Sequence, residues 1–411
     1  MTAAGGSKSL AAAPLIDDAQ LERAGLRKFW EARLPLGAKD VLEDGYLLDE
    51  ALYVTSEGGG VYALKADVGL LRWGADLTER DYTIFPPTHV RTADGAGPVV
   101  IPTTTEIFVF DRFLGELIER FTPEFATGGG AVAYDHRLFI GSAGGRFYSV
   151  VFNHPRLDKP FKRWEVKVGG PVTARPVLYQ GDHLLFASQD GVVYSCRAAD
   201  KAFSWSYRTG GPIFGDPMVD AGGAYVASSD RSLYKLHPGV GKVLWRTRFP
   251  QPLQDGPVVA GQTVYQYCPG HGLTALDAGT GSEKWRQADG RFLAAHSPAG
   301  DVVFTADHRI VVVDHESGDV QATIDAPMII KPVVNTLDDS VFLLGSEGRV
   351  VCIRLGNVPY LLRQQVTAAR GRLNLPPTDE STITPPPAEN LEKKADPSSD
   401  DPLRSRLDKR P

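Results

Sequence analysis

The sequence predicts an all-β protein: an eight-bladed β-propeller of four-stranded blades, with seven blades as the alternative count. Three observations carry this. All six tryptophans lie on strands of one kind, five of them at the end of the same pattern, a polar-Gly turn, an alternating strand, a short turn and a strand reaching Trp. From Trp164 to Trp205, Trp245 and Trp285 the spacings are 41, 40 and 40 residues. Gly 43 and Pro 30 against Met 3 indicate many turns and few long helices. A period of about forty residues built from short strands is that of a propeller.

The units can be read in order. "EGGGVYALKADVGLLRW" (57–73), "QDGVVYSCRAADKAFSW" (189–205), "SDRSLYKLHPGVGKVLW" (229–245) and "GHGLTALDAGTGSEKW" (270–285) share the pattern. The gap from Trp73 to Trp164 holds two units, and "IFVFDRFLGELIERF" (107–121) fills the missing one, with Phe121 expected in the Trp position. Two more follow in "RIVVVDHESGDVQATI" (309–324) and "VFLLGSEGRVVCIRL" (341–355). Several units open with a strand after Pro, as in "RPVLY" (175–179) and "KPVVN" (331–335). Runs such as "LLFAS" and "VVYSC" suit strands, not the apolar spacing of a helical solenoid.

The last unit has three clear strands and no Trp strand, while "FWEARL" (29–34) is a Trp strand with nothing before it. Residues 28–35 are therefore expected to complete the final blade, which removes an exposed sheet edge. The alternative is that "YLLRQQV" (360–366) supplies that strand. The expected organisation is a flexible segment 1–25, a propeller over 26–366, and a disordered Pro-rich charged tail 367–411. The tail has too little apolar content to offset its ordering entropy.

Net charge is −6, and no Lys/Arg run exceeds a few residues, which argues against nucleic acid. No apolar run approaches the 18 residues of a membrane-spanning helix. The N-terminus lacks the apolar core of a secretory signal; taken as given, this leads to the expectation of an unexported, cytoplasmic chain. Cys196, Cys268 and Cys352 are far apart and form no CxxC or Cys/His cluster, so core positions are expected and no zinc or other metal site.

The Tyr-x-Leu-x-Ala/Pro-x-x-Gly…Trp pattern, clearest in Tyr62–Trp73, Tyr234–Trp245 and Thr274–Trp285, resembles the pyrroloquinoline quinone (PQQ)-like repeat over about residues 28–356. Within that family the chain resembles the propellers of outer-membrane barrel assembly more than the quinoprotein dehydrogenases. The resemblance implies that Trp30, Trp73, Trp164, Trp205, Trp245 and Trp285 pack between neighbouring blades, as bulky anchors with one N–H to satisfy. It further implies a periplasmic or envelope location and a protein partner, on a propeller expected to be monomeric. The dehydrogenases carry a vicinal disulfide beside the quinone and a bound Ca²⁺. No adjacent cysteines and no comparable acidic set occur here, so PQQ is not expected despite the repeat's name.

Other chemical motifs fail on spacing. "HPGVGKVLW" (237–245) lacks the first Gly and the Ser/Thr of a phosphate loop, and "GSAGG" (141–145) lacks the spacing of a hydrolase elbow. The nine histidines are scattered, with no pair at metal spacing. One constellation stands out. Arg175, Asp216, Asp255, His296 and Lys331 lie at or just before the start of a unit, where innermost strands converge on the channel mouth. Either opposite charges pair there and stiffen the ring, or the groups form a polar pocket for a small ligand or a partner's chain terminus. The expected function is a non-enzymatic scaffold binding a protein partner in bacterial cell-envelope assembly or maintenance. The alternative is an enzyme or sensor that binds a quinone or another small molecule in the channel.

Overall fold

The computed structural model describes residues 14–355 apart from 80, 81, 93–96, 157 and 298. Residues 1–13, the alternative strand 360–366 and the tail 367–411 lie outside the described residues. Among those described, the strands form eight four-stranded groups, numbered here as blades 1 to 8. Blade 1 comprises Leu42–Leu48, Ala51–Ser56, Gly60–Lys65 and Leu71–Asp76, joined antiparallel in sequence order. Blades 2 to 7 repeat this order, their first strands being Thr88–Arg91, Thr127–Tyr134, Val177–Tyr179, Met218–Val219, Val258–Ala260 and Gly290–Ser297.

Blade 8 is built from Ile329–Val333, Ser340–Gly345, Arg349–Leu355 and, as its outermost strand, Leu26–Arg33. The N-terminal strand thus closes the ring, with Trp30 opposite Cys352 and Arg33 opposite Arg349. Eight hydrophobic clusters lie one at each blade boundary, so the core is a set of seams between blades. The seam of blades 4 and 5, for example, joins Leu185, Val193 and Trp205 to Ala224, Val226 and Tyr234.

Each tryptophan crosses a seam. Its indole donates to a carbonyl in the next blade's turn between third and fourth strands: Trp30 to Ala66 (3.1 Å), Trp73 to Arg112 (3.1 Å), Trp164 to Ala198 (3.3 Å). Trp205 reaches Pro238 (2.7 Å), Trp245 reaches Ala278 (3.0 Å) and Trp285 reaches His315 (2.9 Å). The ring is buried, or half-buried in the case of Trp30, and its one polar atom is satisfied, which is what a Trp in a core requires. A one-residue register shift precedes every Trp on its strand, as between the pairs Ala63–Trp73 and Leu64–Leu71. Such a bulge re-aims the side chain that follows it.

Register corrects one expectation. In blade 2 the residue in the Trp position is Glu119, opposite Val109 after the same bulge, whereas Phe121 lies two residues further, opposite Ile107. Glu119 still crosses the seam: its carboxylate accepts the Asn153 N–H at 2.8 Å in the next blade's turn. The aromatic Phe121 drew attention because no apolar residue marks the true position.

Residues 14–25 differ from the flexible segment expected of them. They carry a short helix, Asp18–Arg23, whose N-cap Asp17 accepts the Ala19 N–H at 3.2 Å. Leu15, Ile16 and Leu21 are buried in the seam of blades 7 and 8 with Val312, Ile324 and Val351. Ala322 occupies the Trp position of blade 7. Blade 8 has no turn between its third and fourth strands, because its fourth strand comes from the other end of the chain. The helix fills the volume that an indole and a turn fill elsewhere, and its apolar residues are ordered by that packing.

Candidate functional site: the channel mouth

Contacts between blades locate the channel. The first strands of blades 2 and 3 pair directly, parallel, through Ala133–Val90 and Tyr134–Arg91. Those of blades 7 and 8 meet at Ala295 and Asn335. First strands are therefore innermost, and a residue two before the Trp row of a first strand falls at the channel's rim. Following the cross-strand register from Trp205 leads to Val177, and two before it is Arg175. The same count gives Asp216 in blade 5, Lys331 in blade 8 and, in blade 1, Asp44.

These groups meet in pairs across blade boundaries. Arg175 Nε lies 3.5 Å from an Asp216 oxygen, and its backbone N–H donates to the same carboxylate at 2.7 Å. Lys331 Nζ lies 2.6 Å from Asp44 Oδ2, linking blade 8 to blade 1. Asp255, one residue earlier in its link, pairs with Arg291 of blade 7 at 3.1 Å. The Arg291 guanidinium also stacks 3.9 Å from the Tyr267 ring centroid, a cation–π contact. Side chains in these pairs keep between 28% and 40% of their surface exposed, so each contributes about 0–1 kcal/mol.

Asp44 and Arg291 escaped the sequence reading because neither stands at an opening proline; register aligns Asp44 with Arg175, and Arg291 reaches the mouth through its pair with Asp255. Tyr46 was missed likewise. Burial pushes its hydroxyl far above the ordinary tyrosine range, Asp44 and Glu43 add to the effect, and Arg175 opposes it. The arc of blades 2 and 3 is apolar: the equivalent positions are Pro86 and Gly130, and the Arg175 side chain packs over Gly130.

His296 does not join this ring. It sits one residue beyond the Trp row, at the far end of Gly290–Ser297, because that strand starts well before the single proline, at 298, that marks the unit in the sequence. There its Nδ1 lies 2.7 Å from Asp301 Oδ1, and the Tyr265 hydroxyl donates 2.6 Å to the other oxygen of that fully buried carboxylate. Blade 2 repeats the arrangement: His89 lies between Tyr53 (2.9 Å) and Asp49 (2.7 Å) at the seam with blade 1. Both histidines satisfy a seam tyrosine and a carboxylate, a polar network inside the core.

The chemistry on offer at the mouth is an arc of three opposite-charge pairs, interrupted by the apolar positions of blades 2 and 3. Among the described residues no group of three or more His, Cys, Asp or Glu side chains is arranged to hold a metal ion, and no helix is long and apolar enough to cross a membrane. The three cysteines are buried, and burial raises each thiol above its usual range, to about 12 for Cys196 and Cys352.

The family model described as outer membrane protein assembly factor BamB matches residues 160–246 and 233–375, together more than half of the chain. The BamB protein of Moranella endobia (strain PCIT) is 23% identical over 262 residues, covering 59% of this chain and 65% of the relative. That of Yersinia pestis is 25% identical over 178 residues, covering 39% and 44%. The chain thus matches less than two thirds of the length of either relative. The crystal structure of BamB from Moraxella catarrhalis superposes with a TM-score of 0.65 at 15% identity, covering 82% of this chain and 99% of that one. A computationally designed protein, Ika8, superposes at 0.60 and 13% identity, covering 80% and 99%. At such identities the superpositions establish the fold, and the extended family match establishes kinship: this chain belongs to the outer membrane protein assembly factor BamB family of PQQ-like repeat propellers.

Proposed function

We propose that this chain is a non-enzymatic scaffold of the bacterial envelope that holds a protein partner during outer-membrane protein assembly. One observation carries the reading. The charged side chains at the channel mouth are matched to one another across blade boundaries, Arg175 to Asp216, Lys331 to Asp44 and Arg291 to Asp255. Such pairing stiffens a disc whose outer surfaces are free to vary. The name borne by its relatives, outer membrane protein assembly factor, supports the biological setting.

The test is genetic and biochemical. In the bacterium that carries it, loss of this chain is expected to lower the amount of folded outer-membrane β-barrel proteins, read by their heat-dependent gel mobility. Unchanged barrel levels would overturn the proposal. In parallel, titration with PQQ and Ca²⁺, followed by tryptophan fluorescence, is expected to show no saturable quenching. Saturable quenching lost in Asp216→Ala and Lys331→Ala would move the function into the channel.

A further inference from the structure

The outermost strands carry a charge pattern that the channel does not explain. In blades 1, 3, 4, 5, 7 and 8 these strands end three residues past the Trp position, opposite the first residue of the third strand. Consecutive blades 3, 4 and 5 place Lys167, Arg208 and Arg248 there, opposite Arg146, Val192 and Ser232. The same site holds Asp76 in blade 1 and Asp325 in blade 7, and in blade 8 Arg33, which is paired with Glu347. Two residues earlier on the same side of the strand, blades 5 and 6 add Arg246 and Arg286. All five of these basic side chains on blades 3 to 6 are exposed. Among the described residues, no carboxylate lies in ion-pair range of Lys167, Arg208 or Arg248. The chain as a whole carries a net charge of −6, so this basic half-rim is local.

We propose that the rim of blades 3 to 6 is a docking track for an extended acidic segment of the protein partner. The inference rests on the scaffold reading and specifies how the partner is held. Repetition of one cation at one register on blades 3, 4 and 5, continued by Arg286 two residues earlier on blade 6, presents positive charge at successive steps around a convex edge. A flexible acidic chain can follow that curve and meet successive side chains, whereas a flat anionic membrane touches a convex rim over one blade at a time. Exposed cations, of which Lys167, Arg208 and Arg248 have no carboxylate in ion-pair range among the described residues while Arg246 pairs with Asp230 at 3.6 Å, give attraction that is long-ranged and weakened by salt.

The experiment uses the full chain and a fluorescent peptide rich in Asp and Glu, with its Asn/Gln counterpart and phosphatidylglycerol vesicles as the other probes. The acidic peptide is expected to bind in low salt and be released as salt rises. The triple variant Lys167→Glu, Arg208→Glu, Arg248→Glu is expected to weaken binding at least about tenfold, while Lys242→Glu, at the opposite end of blade 5, leaves it unchanged. A single Arg248→Gln variant, expected to give a smaller loss, covers the case in which the triple variant does not fold. Equal binding of the neutral peptide, no loss in the variants, or a preference for the vesicles would each overturn the proposal. Complementation separates the two levels. If wild type and the triple variant both restore barrel levels, the track falls and the scaffold stands; if wild type itself has no effect on those levels, the scaffold reading falls first.

Discussion

Gly69 lies against the ring of Trp30, so that a Cβ at residue 69 would come within 2.3 Å of the indole, while the same indole donates to the Ala66 carbonyl at 3.1 Å. Trp30 belongs to the N-terminal strand that completes blade 8, and the turn holding Ala66 and Gly69 belongs to blade 1. This contact therefore closes the ring. Trp30→Ala is expected to cost about 3 kcal/mol, somewhat below a fully buried indole because Trp30 is half-buried. Chemical denaturation checks this against Trp205→Ala, which should cost about 3–5 kcal/mol.

The glycine is required twice over, by the ring it touches and by its backbone. Gly69, Gly115, Gly241, Gly281 and Gly318 each take φ between 68° and 74° and each faces the Trp of the preceding blade. At the seam of Trp164 the corresponding turn has Lys201 instead, at φ 59°. Gly281→Ala should destabilise by about 1–2 kcal/mol or more, from left-handed strain with an added steric clash. Lys201→Gly should be neutral or stabilising by up to about 1 kcal/mol, since it relieves that strain. Thermal unfolding of the two variants reads both signs.

The helix Asp18–Arg23 contributes to the seam of blades 7 and 8 through Leu21, which is 1% exposed. Leu21→Ala is expected to lose about 2–5 kcal/mol, as a buried leucine does in a site that cannot collapse. Hydrogen exchange should show the loss first in Val320–Asp325 and Ile329–Val333, which flank that seam. Equal exchange with wild type there would place the helix outside the cooperative fold.

Asp230 supplies a pH dependence. Burial pushes its carboxyl up, but hydrogen bonds from the Tyr234 hydroxyl, the Gly210 N–H and Ser232, with Arg246 nearby, outweigh it and hold the carboxyl below its usual range. The unfolded chain therefore takes up this proton first as the solution is acidified. The resulting stability is present above the unfolded pKa of about 3.9 and is lost as pH falls through the lower folded value. Asp230→Asn should be less stable than wild type at neutral pH, and the gap should shrink as pH falls from about 4 towards 2. A gap that stays constant with pH would remove Asp230 from the acid response.

The repeat, the strand class and the closing strand are legible in the chain alone. Those follow from spacing: a Trp every forty or so residues, alternating strands, and a Trp strand at 28–35 that lacks a blade of its own. The tertiary structure decided what depends on register and on neighbours in space. Glu119, not Phe121, holds the Trp position of blade 2, because a bulge shifts the pairing by one residue. His296 went to a seam with Asp301 and Tyr265, while Asp44 and Arg291 joined the channel mouth that Arg175, Asp216, Asp255 and Lys331 line. A proline marks where a strand can begin, but not how many residues separate it from the row facing the channel. Residues 41 or 287 positions apart, such as Arg175 with Asp216 or Lys331 with Asp44, become partners only when the ring closes. The physical reason is that local propensity acts over a few residues, whereas an ion pair or a buried seam depends on which chains are brought within a few ångströms.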